Sequence, residues 1–238
     1  MSVDVLAIAA HRDDVELTCA GTLIKAAKQG HRTAVVDLTA GEMGTKGDAQ
    51  SRAAEAEKAA QIMKLSAREN LALPDAGIVN DPATRTLVAR AIRKFKPRVV
   101  IAPARQGRHP DHRVTAELVR DACFVAGLAK VAADLPKHRP HKVLHCVSFR
   151  QDFEKPTFVV DISDEFEQKM EAIRCFESQF GSATQAGEVY PTGEPLYTTI
   201  RHYSSYYGSL IRTRYGEPFF TTETMRADDV VSLEVATF

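Results

Sequence analysis

Short runs of β-branched and aliphatic residues alternate with longer segments of helical period along most of the chain, and this alternation constrains the fold most strongly. The run "VDVLAIAA" predicts a first strand over Val3–Ala9, and "RTAVVDLT" predicts a second strand that ends near Thr39. Apolar residues recur at helical spacing between them, as far as a stop at Gly30. Strands separated by helices form parallel sheets. We therefore expect an α/β fold with a Rossmann-like, largely parallel sheet and helices on both faces.

The remainder of the chain continues this pattern. Helices are expected over residues 51–63, 86–95, 111–130, 166–180 and 198–216, and strands at "ENLAL", "RVVIAPA", "KVLHCVSF" and "TFVVDI", with a loop over 181–195. Neither an internal repeat nor a low-complexity tract divides the chain. A single domain over residues 1–238 with a C-terminal elaboration is the economical interpretation.

Composition excludes several function classes. Lys and Arg together balance Asp and Glu at 31 each, so no net field attracts nucleic acid. No apolar stretch approaches the roughly 18 residues of a membrane helix, and we expect no membrane partner. The four cysteines form no CxxC pair, and no export signal precedes the first of them. We expect reduced thiols in a cytoplasmic protein.

Polar clusters follow three of the predicted strands. "HRDD" at 11–14 follows the first strand, "GEMGTKGD" at 41–48 follows the second, and "RQGRHPDHR" at 105–113 follows "VVIAPA". In open α/β sheets, ligands bind beyond the carboxyl ends of the strands, where such loops meet. The three clusters are therefore predicted to face one crevice.

Two of these clusters together contain a set of metal-ligating side chains. His109 and His112 lie in one loop, and His11, Asp13 and Asp14 lie in another. Catalytic zinc commonly takes three nitrogen or oxygen ligands and leaves a fourth position for water. An isolated HxxH is more often a solvated loop, and either aspartate could simply cap a helix. The placement of both clusters at one end of the sheet favours the metal site.

Other common chemistries lack their motifs. The first strand is not followed by GxGxxG, and neither GxxxxGK[ST] nor GxSxG occurs. These absences argue against dinucleotide binding, P-loop phosphoryl transfer and an α/β-hydrolase nucleophile. A water molecule activated by a metal remains as the predicted chemistry.

The same residues carry a resemblance to a known family. "AAHRDDVELTCAGTL" resembles the "AHPDDxE" signature of the LmbE-like, or PIG-L, family of zinc-dependent N-acetylglucosaminyl deacetylases, and "GRHPDHR" resembles its "HPDH" loop. "DLTAGEMGTKGD", "SRAAEAEKAA", "KMEAIRCFESQF" and "YYGSLIRTRYGEPF" are similar to the bacillithiol-pathway branch, whose members deacetylate N-acetylglucosaminyl malate. The resemblance covers most of the chain and is weakest over residues 67–99 and 134–154.

The resemblance implies roles for the motif residues. His11, Asp14 and His112 would hold one zinc ion per chain. Other divalent metals could take its place. Asp13 would be the general base. Protonated His109 would stabilise the oxyanion and help the amine to leave. Asp111 would orient an imidazole of the same loop and favour the positive charge on that ring.

Substrate contacts are implied less specifically. The resemblance places Arg52 on the sugar, although at the start of a helix Arg52 could instead pair with Glu55 alone. Glu42 and Arg108 are further candidates for substrate binding. Three cations lie where an anionic aglycone could be held: Arg108, Arg113 and Arg150. The expected partners are a small-molecule amino-sugar conjugate and further copies of the chain in a homo-oligomer.

The sequence departs from the family signature at Arg12, where the family usually has Pro. The Arg12 side chain could weaken Asp13 as a base or grip an anionic group of the substrate. A surface ion pair with Glu16, four residues on, is the interpretation we favour. A rival hypothesis is a non-catalytic sugar-binding α/β protein in which Arg12 occupies the metal site. A deacetylase or amidase of a different N-acyl amino sugar is the other alternative.

Overall fold

The computed structural model describes residues 1–148, 155–181 and 196–235. Seven strands within these ranges form one sheet. They are β1 (Val5–Ala9), β2 (Thr33–Thr39), β3 (Ala67–Leu73), β4 (Val99–Ala102), β5 (Lys142–Cys146), β6 (Phe158–Asp161) and β7 (Gly216–Phe220). The strand order is β3-β2-β1-β4-β5-β7-β6, and the first five strands are parallel. β7 runs antiparallel to both of its neighbours.

Helices cover both faces of this sheet. The described helices are α1 (Asp14–Thr18), α2 (Ala20–Lys28), α3 (Ala49–Ile62), α4 (Pro82–Phe95), α5 (Pro110–Ala126), α6 (Phe166–Arg174), α7 (Glu177–Phe180) and α8 (Leu196–Leu210). α4 and α5 pack on one face, around Ile92, Phe95 and Leu118. α1, α2, α3 and α6 pack on the other, around Leu23 and Phe176. The predicted Rossmann-like α/β architecture is confirmed.

The C-terminal elaboration differs from its prediction. The helix expected to reach residue 216 ends at Leu210, and β7 follows it and lies between β5 and β6. The sequence does not predict this strand because it contains Pro218. Proline has no N–H to donate and is therefore rare in central strands. The helix expected over 166–180 breaks into α6 and α7 around Cys175. A third apolar cluster, which includes Phe166, Ile200 and Tyr215, joins α6 to α8.

Several helix boundaries also differ. α3 and α4 begin two and four residues earlier than predicted, because Asp48 and Asp81 cap them. Each aspartate accepts a hydrogen bond from the backbone N–H three residues on, in a capping box. The helix expected after the first strand is two helices that meet at Cys19. Beyond Gly181, the loop predicted for 181–195 lies outside the described residues.

The carboxyl ends of β1, β2, β3 and β4 reach one edge of the sheet, where their following loops meet. The chain leaves β1 towards β2 on one side and later enters β4 on the other, so the strand order reverses between β1 and β4. Such a reversal opens a crevice in an α/β sheet. In the described ranges, no helix combines the length and the apolar character that a bilayer span requires.

Candidate metal centre

The loops that follow β1 and β4 face each other across this crevice, and their local backbone structure fixes their positions. After β1, the His11 N–H donates to Asp14 Oδ2 at 2.9 Å, which closes a tight turn before α1. After β4, His109 is the N-cap of α5 and Pro110 occupies its first position, where a missing N–H costs nothing. His112 therefore lies in the first turn of α5 and faces the turn after β1.

Three predicted ligands, His11, Asp14 and His112, form a compact triangle of side chains in which Asp14 presents one carboxylate oxygen to each imidazole. His11 Nδ1 lies 3.2 Å from His112 Nε2 and 3.4 Å from Asp14 Oδ2, and Asp14 Oδ1 lies 3.1 Å from His112 Nε2. A tetrahedral zinc ion with ligands at 2.0–2.1 Å separates neighbouring ligand atoms by about 3.3 Å. The two imidazole nitrogens match this spacing, and one donor atom from each of the three residues lies within 4.8 Å of the others, so the triangle could hold a divalent metal ion.

The charges within the triangle also favour a cation. Burial would raise the pKa of Asp14, but the adjacent His112 and His11 hold it well below its usual range. Burial would lower the pKa of His11, yet Asp14, with smaller contributions from Asp13 and Asp75, raises it to about 10. Burial would also lower the pKa of His112, but Asp14 raises it above its ordinary value. The carboxylates thus stabilise positive charge where the three side chains meet.

Asp75 also belongs to the candidate metal centre, although the sequence motifs do not predict it. Its Oδ1 lies 3.1 Å from His11 Nε2, on the side of the ring opposite the triangle. Backbone N–H groups of Ala76 and Met43 donate to its two oxygens, both at 2.9 Å, and its own N–H donates to Glu42 Oε1 at 2.8 Å. An outer carboxylate of this kind fixes the orientation of a ligating imidazole. Its place just after β3, at the same edge of the sheet, was the available signal.

Asp111 and His109 make contacts different from those expected. Asp111 Oδ2 accepts the Ala76 N–H at 2.8 Å and lies 3.5 Å from His11 Nε2, so the carboxylate faces an imidazole of the other loop. The Asp111 backbone N–H donates to His109 Nδ1 at 3.3 Å. Burial, with the neighbouring His112 and His11, lowers the pKa of His109. Asp111 does raise the pKa of His109, as expected, but burial and the two neighbouring imidazoles outweigh this effect.

A second group of possible ligands shares His11. It consists of His11, His109 and Asp111. Asp111 Oδ2 accepts the Ala76 N–H, and His109 Nδ1 accepts the Asp111 N–H, which leaves the other oxygen and the other ring nitrogen as the donor atoms of this group. The triangle of His11, Asp14 and His112 matches the predicted ligand set and is the candidate metal site.

The predicted base, Asp13, is half-buried next to Arg52. Arg52 Nη2 donates to Asp13 Oδ1 at 3.3 Å, and Nη1 donates to the Gly41 carbonyl at 2.9 Å. Burial raises the pKa of Asp13, and Arg52 only partly offsets this effect. Gly41 has a φ of 73°, and the Arg52 guanidinium fills the space where a Cβ would lie. Arg52 therefore holds the base, while Glu55 binds Ser178 instead of Arg52.

Arg12 does not form the ion pair that we favoured. Its Nη1 donates to the Ala49 carbonyl at the start of α3, at 2.7 Å. Glu16 is fully buried and binds Arg68 Nη1 at 2.6 Å. The Arg12 side chain leaves the triangle of His11, Asp14 and His112 clear, and the rival in which it occupies the metal site is wrong.

A cleft of about 170 Å³ opens beside the triangle, and its lining includes Arg108, His109 and His112. Apolar residues of β1 and β4 form its floor. Arg108 and Arg113 are exposed, and Arg113 Nη1 donates to the carbonyls of Gly107 and Arg108. Glu42 is exposed outside this lining and supports Asp75. Arg150, the remaining candidate cation, lies outside the described residues.

These features define a class of protein, an α/β fold that carries side chains able to hold a metal ion at the carboxyl edge of its sheet. The family model of PIG-L, described as GlcNAc-PI de-N-acetylase, matches residues 6–123. The chain is 32% identical to a diacetylchitobiose deacetylase of Thermococcus kodakarensis over 225 residues, which cover 90% of this chain and 80% of the relative. The chain belongs to the PIG-L family. The prediction of a hydrolase of the N-deacetylase class is thereby confirmed.

Solved structures share the fold over nearly the whole chain. The conserved protein TT1542 of Thermus thermophilus is 34% identical, with a TM-score of 0.85 over 95% of this chain and 98% of that protein. An N,N'-diacetylchitobiose deacetylase of Pyrococcus horikoshii, solved with an inhibitor, is 27% identical, with a TM-score of 0.77 over 92% and 83%. The shared fold includes the seven-stranded sheet that carries the site.

Proposed function

We propose that the chain is a zinc-dependent hydrolase that removes the N-acetyl group from an N-acetylglucosaminyl conjugate. The triangle of His11, Asp14 and His112 is the observation that carries this proposal, because its two imidazole nitrogens lie 3.2 Å apart and each lies within 3.4 Å of an oxygen of Asp14. The family and the diacetylchitobiose deacetylase relatives support an acetylated amino sugar as the substrate.

The reaction assigns separate roles to Asp13 and His109. A bound zinc ion would lower the pKa of water from 15.7 to about 7 and polarise the acetyl carbonyl. Asp13 accepts the proton of the attacking water, and its raised pKa brings it closer to neutral pH, where a general base works best. The new C–O bond replaces the C–N bond, and the proton passes to the departing amine.

His109 acts as a neutral hydrogen-bond donor in this scheme. Its Nδ1 accepts the Asp111 N–H, so the neutral ring carries its proton at Nε2. That N–H donates to the carbonyl oxygen as negative charge develops there. A preorganised donor of this kind contributes about 3 kcal/mol to lowering the barrier.

The finer proposal concerns the aglycone. Similarity of four sequence stretches to the bacillithiol-pathway branch supports N-acetylglucosaminyl malate, and the exposed Arg108 at the cleft offers a cation for a malate carboxylate. A second N-acetylglucosamine unit is the alternative that the diacetylchitobiose deacetylases suggest. We further propose that residues 1–238 act as one cytoplasmic domain, consistent with the free thiols of Cys19, Cys123 and Cys146. The homo-oligomer stays a prediction.

A metal assay and a substrate panel test this proposal together. The chain purified without chelator should carry one zinc ion, and His11→Ala or His112→Ala should lose it. The zinc-loaded chain should release acetate from N-acetylglucosaminyl malate faster than from N,N'-diacetylchitobiose or N-acetylglucosamine. Asp13→Asn should retain zinc and lose turnover. A chain that binds no metal, or a loaded chain that deacetylates none of the three, contradicts the proposal.

A further inference from the structure

A buried guanidinium lies directly beneath the turn that carries Asp13 and Asp14. Arg68, on β3, is 5% exposed and uses all five of its N–H donors. Two bonds go to Asp37 on β2, at 2.8 and 3.0 Å, and one goes to Glu16 on α1, at 2.6 Å. The fourth reaches the Ala56 carbonyl at 3.4 Å, and the fifth reaches the Arg12 carbonyl.

The bond to the Arg12 carbonyl acts on the backbone of the turn itself. This carbonyl belongs to the peptide bond that joins Arg12 to Asp13. In the part of the chain that the structure describes, the Arg12 N–H donates to no group and the Arg12 φ is not positive. Residue 12 is therefore held by its carbonyl, on Arg68, and by its side chain, on the Ala49 carbonyl.

The usual family residue at this position supplies a different restraint. Proline fixes φ near −65° through its ring, whereas arginine leaves that dihedral free. A free dihedral here would let Asp13 and Asp14 move relative to His11. Arg68 binds the carbonyl of the peptide bond that follows Arg12, and this bond limits the same movement of Asp13 and Asp14.

We propose that Arg68 is a positioning residue for the catalytic turn, and that its bond to the Arg12 carbonyl replaces the restraint of the missing proline. The assignment rests on the proposed deacetylase function, for which Asp13 is the base and Asp14 a metal ligand. Glu16 and Asp37 serve the same purpose, because their carboxylates hold the guanidinium in one orientation.

Arg68→Lys separates this role from simple charge balance. Lysine keeps a positive charge between Glu16 and Asp37, but its ammonium has three donors and lacks the planar fork. We expect kcat on the best substrate of the panel to fall at least about tenfold with KM little changed. Zinc affinity, measured by competition with a chelating dye, should fall about tenfold, since outer partners of metal ligands typically contribute 10–100-fold.

Rescue by proline is the decisive measurement. Arg12→Pro combined with Arg68→Lys should recover most of the lost kcat and zinc affinity, because the ring restores the restraint and no N–H bond is lost. Arg12→Ala in the same background removes the Arg12 side chain without adding a ring, and should recover neither. A rescue of equal size by Arg12→Ala would overturn the proposal.

Arg93→Lys is the matched control for losing a buried arginine. Arg93, on α4, is 1% exposed and donates to the carbonyls of Ala126, Leu128, Ala132 and Leu135, on the other face of the sheet. This variant should lose stability but keep kcat and zinc affinity, and Arg12→Pro should not change that result. Wild-type kcat and zinc affinity in Arg68→Lys, or an equal benefit of Arg12→Pro in both backgrounds, contradicts the inference.

The zinc titration also keeps the two proposals apart. If the wild-type chain binds zinc but deacetylates no substrate in the panel, the proposed function fails. The affinities of Arg68→Lys and of its combination with Arg12→Pro then still test the positioning role. A loss of affinity that proline restores supports the inference, whatever the substrate.

Discussion

Single residues outside the signature motifs complete the metal centre. Asp75 holds the far nitrogen of His11, Arg52 holds Asp13, and Arg68 holds the backbone between them. Each is nearly buried, and each bonds across at least 39 positions of sequence. The ligands therefore have fixed orientations before any ion binds.

Removal of Asp75 should weaken metal binding without unfolding the chain. In Asp75→Ala, His11 Nε2 loses its partner at 3.1 Å, and zinc affinity should fall about 10–100-fold. Asp75→Asn keeps an acceptor oxygen, so its zinc affinity should fall by less than that of Asp75→Ala. Dye competition gives the affinities, and circular dichroism checks the fold. An Asp75→Ala chain with wild-type affinity would show that this carboxylate does not orient His11.

Local sequence was sufficient to predict that the proposed ligands lie together, and insufficient to predict the residues that support them. His11, Asp14 and His112 lie in short motifs whose spacing indicates metal chemistry. Asp75 and Arg68 lie in ordinary surroundings, and only the pairing of β3 with β2 brings them to the site. Helical spacing predicts an ion pair between Arg12 and Glu16. Arg68, which is 52 positions from Glu16 in sequence, binds that carboxylate instead.

At the scale of elements, caps determine where the helices that follow the active-site loops begin. Asp48 begins α3 directly after the loop of Gly41, and Asp81 begins α4 after the loop of Asp75. Periodicity alone placed both starts too late, since it counts apolar residues and these first turns are polar. β7 was missed for a related reason, because Pro218 breaks the pattern expected of a central strand.

Loss of the Asp81 cap should destabilise the chain in a pH-dependent manner. The Thr84 N–H lowers the pKa of Asp81 from its ordinary value of 3.8, so its stabilising effect is present above that value and disappears as the pH falls through the lowered pKa. Asp81→Ala should lower Tm by about 2–4 °C at pH 7 and by less at pH 3.

Asp81→Asn is the matched control for this cap. Asparagine caps helices about as well as aspartate and does not titrate. Its Tm should therefore stay close to wild type at pH 7. Thermal scans that show an equal loss for Asp81→Ala at both pH values would contradict the role of the charge.

For the whole molecule, the sheet separates two packing faces that contribute differently to the site. α1 and α3 border the candidate metal centre on one face; on the other face, of the described helices, only the first turn of α5 reaches it, and α4 packs against the rest of α5. Fold class and the clustering of loops at one edge follow from the order of strands and helices, which periodicity in the sequence predicts. The contribution of each face to stability depends on side-chain packing that no local pattern reveals.

Core truncation on the α4 face should reduce stability but leave zinc affinity near wild type. Phe95 is 1% exposed, and Phe95→Ala should cost about 3–5 kcal/mol in the free energy of unfolding. Phe124→Ala, at a residue 60% exposed on α5, should cost less than about 1 kcal/mol. Urea denaturation measures both. A tenfold loss of zinc affinity in folded Phe95→Ala would show that the two faces are coupled.

Zinc should stabilise the whole chain. At a free concentration of 100 times Kd, the free energy of unfolding should rise by about 2.7 kcal/mol, because the ion binds the folded triangle. Chemical denaturation with zinc and with a chelator measures the difference. His112→Ala should show none, and an equal gain in that variant would place the stabilising ion elsewhere.

The position of β7 has a consequence for synthesis on the ribosome. Gly216–Phe220 fills the gap between β5 and β6, whose residues precede it by at least 55 positions. Until that segment leaves the exit tunnel, both neighbours present open hydrogen-bonding edges to solvent. A nascent chain therefore completes its sheet late, and a chaperone that shields those edges would act on this protein near the end of translation.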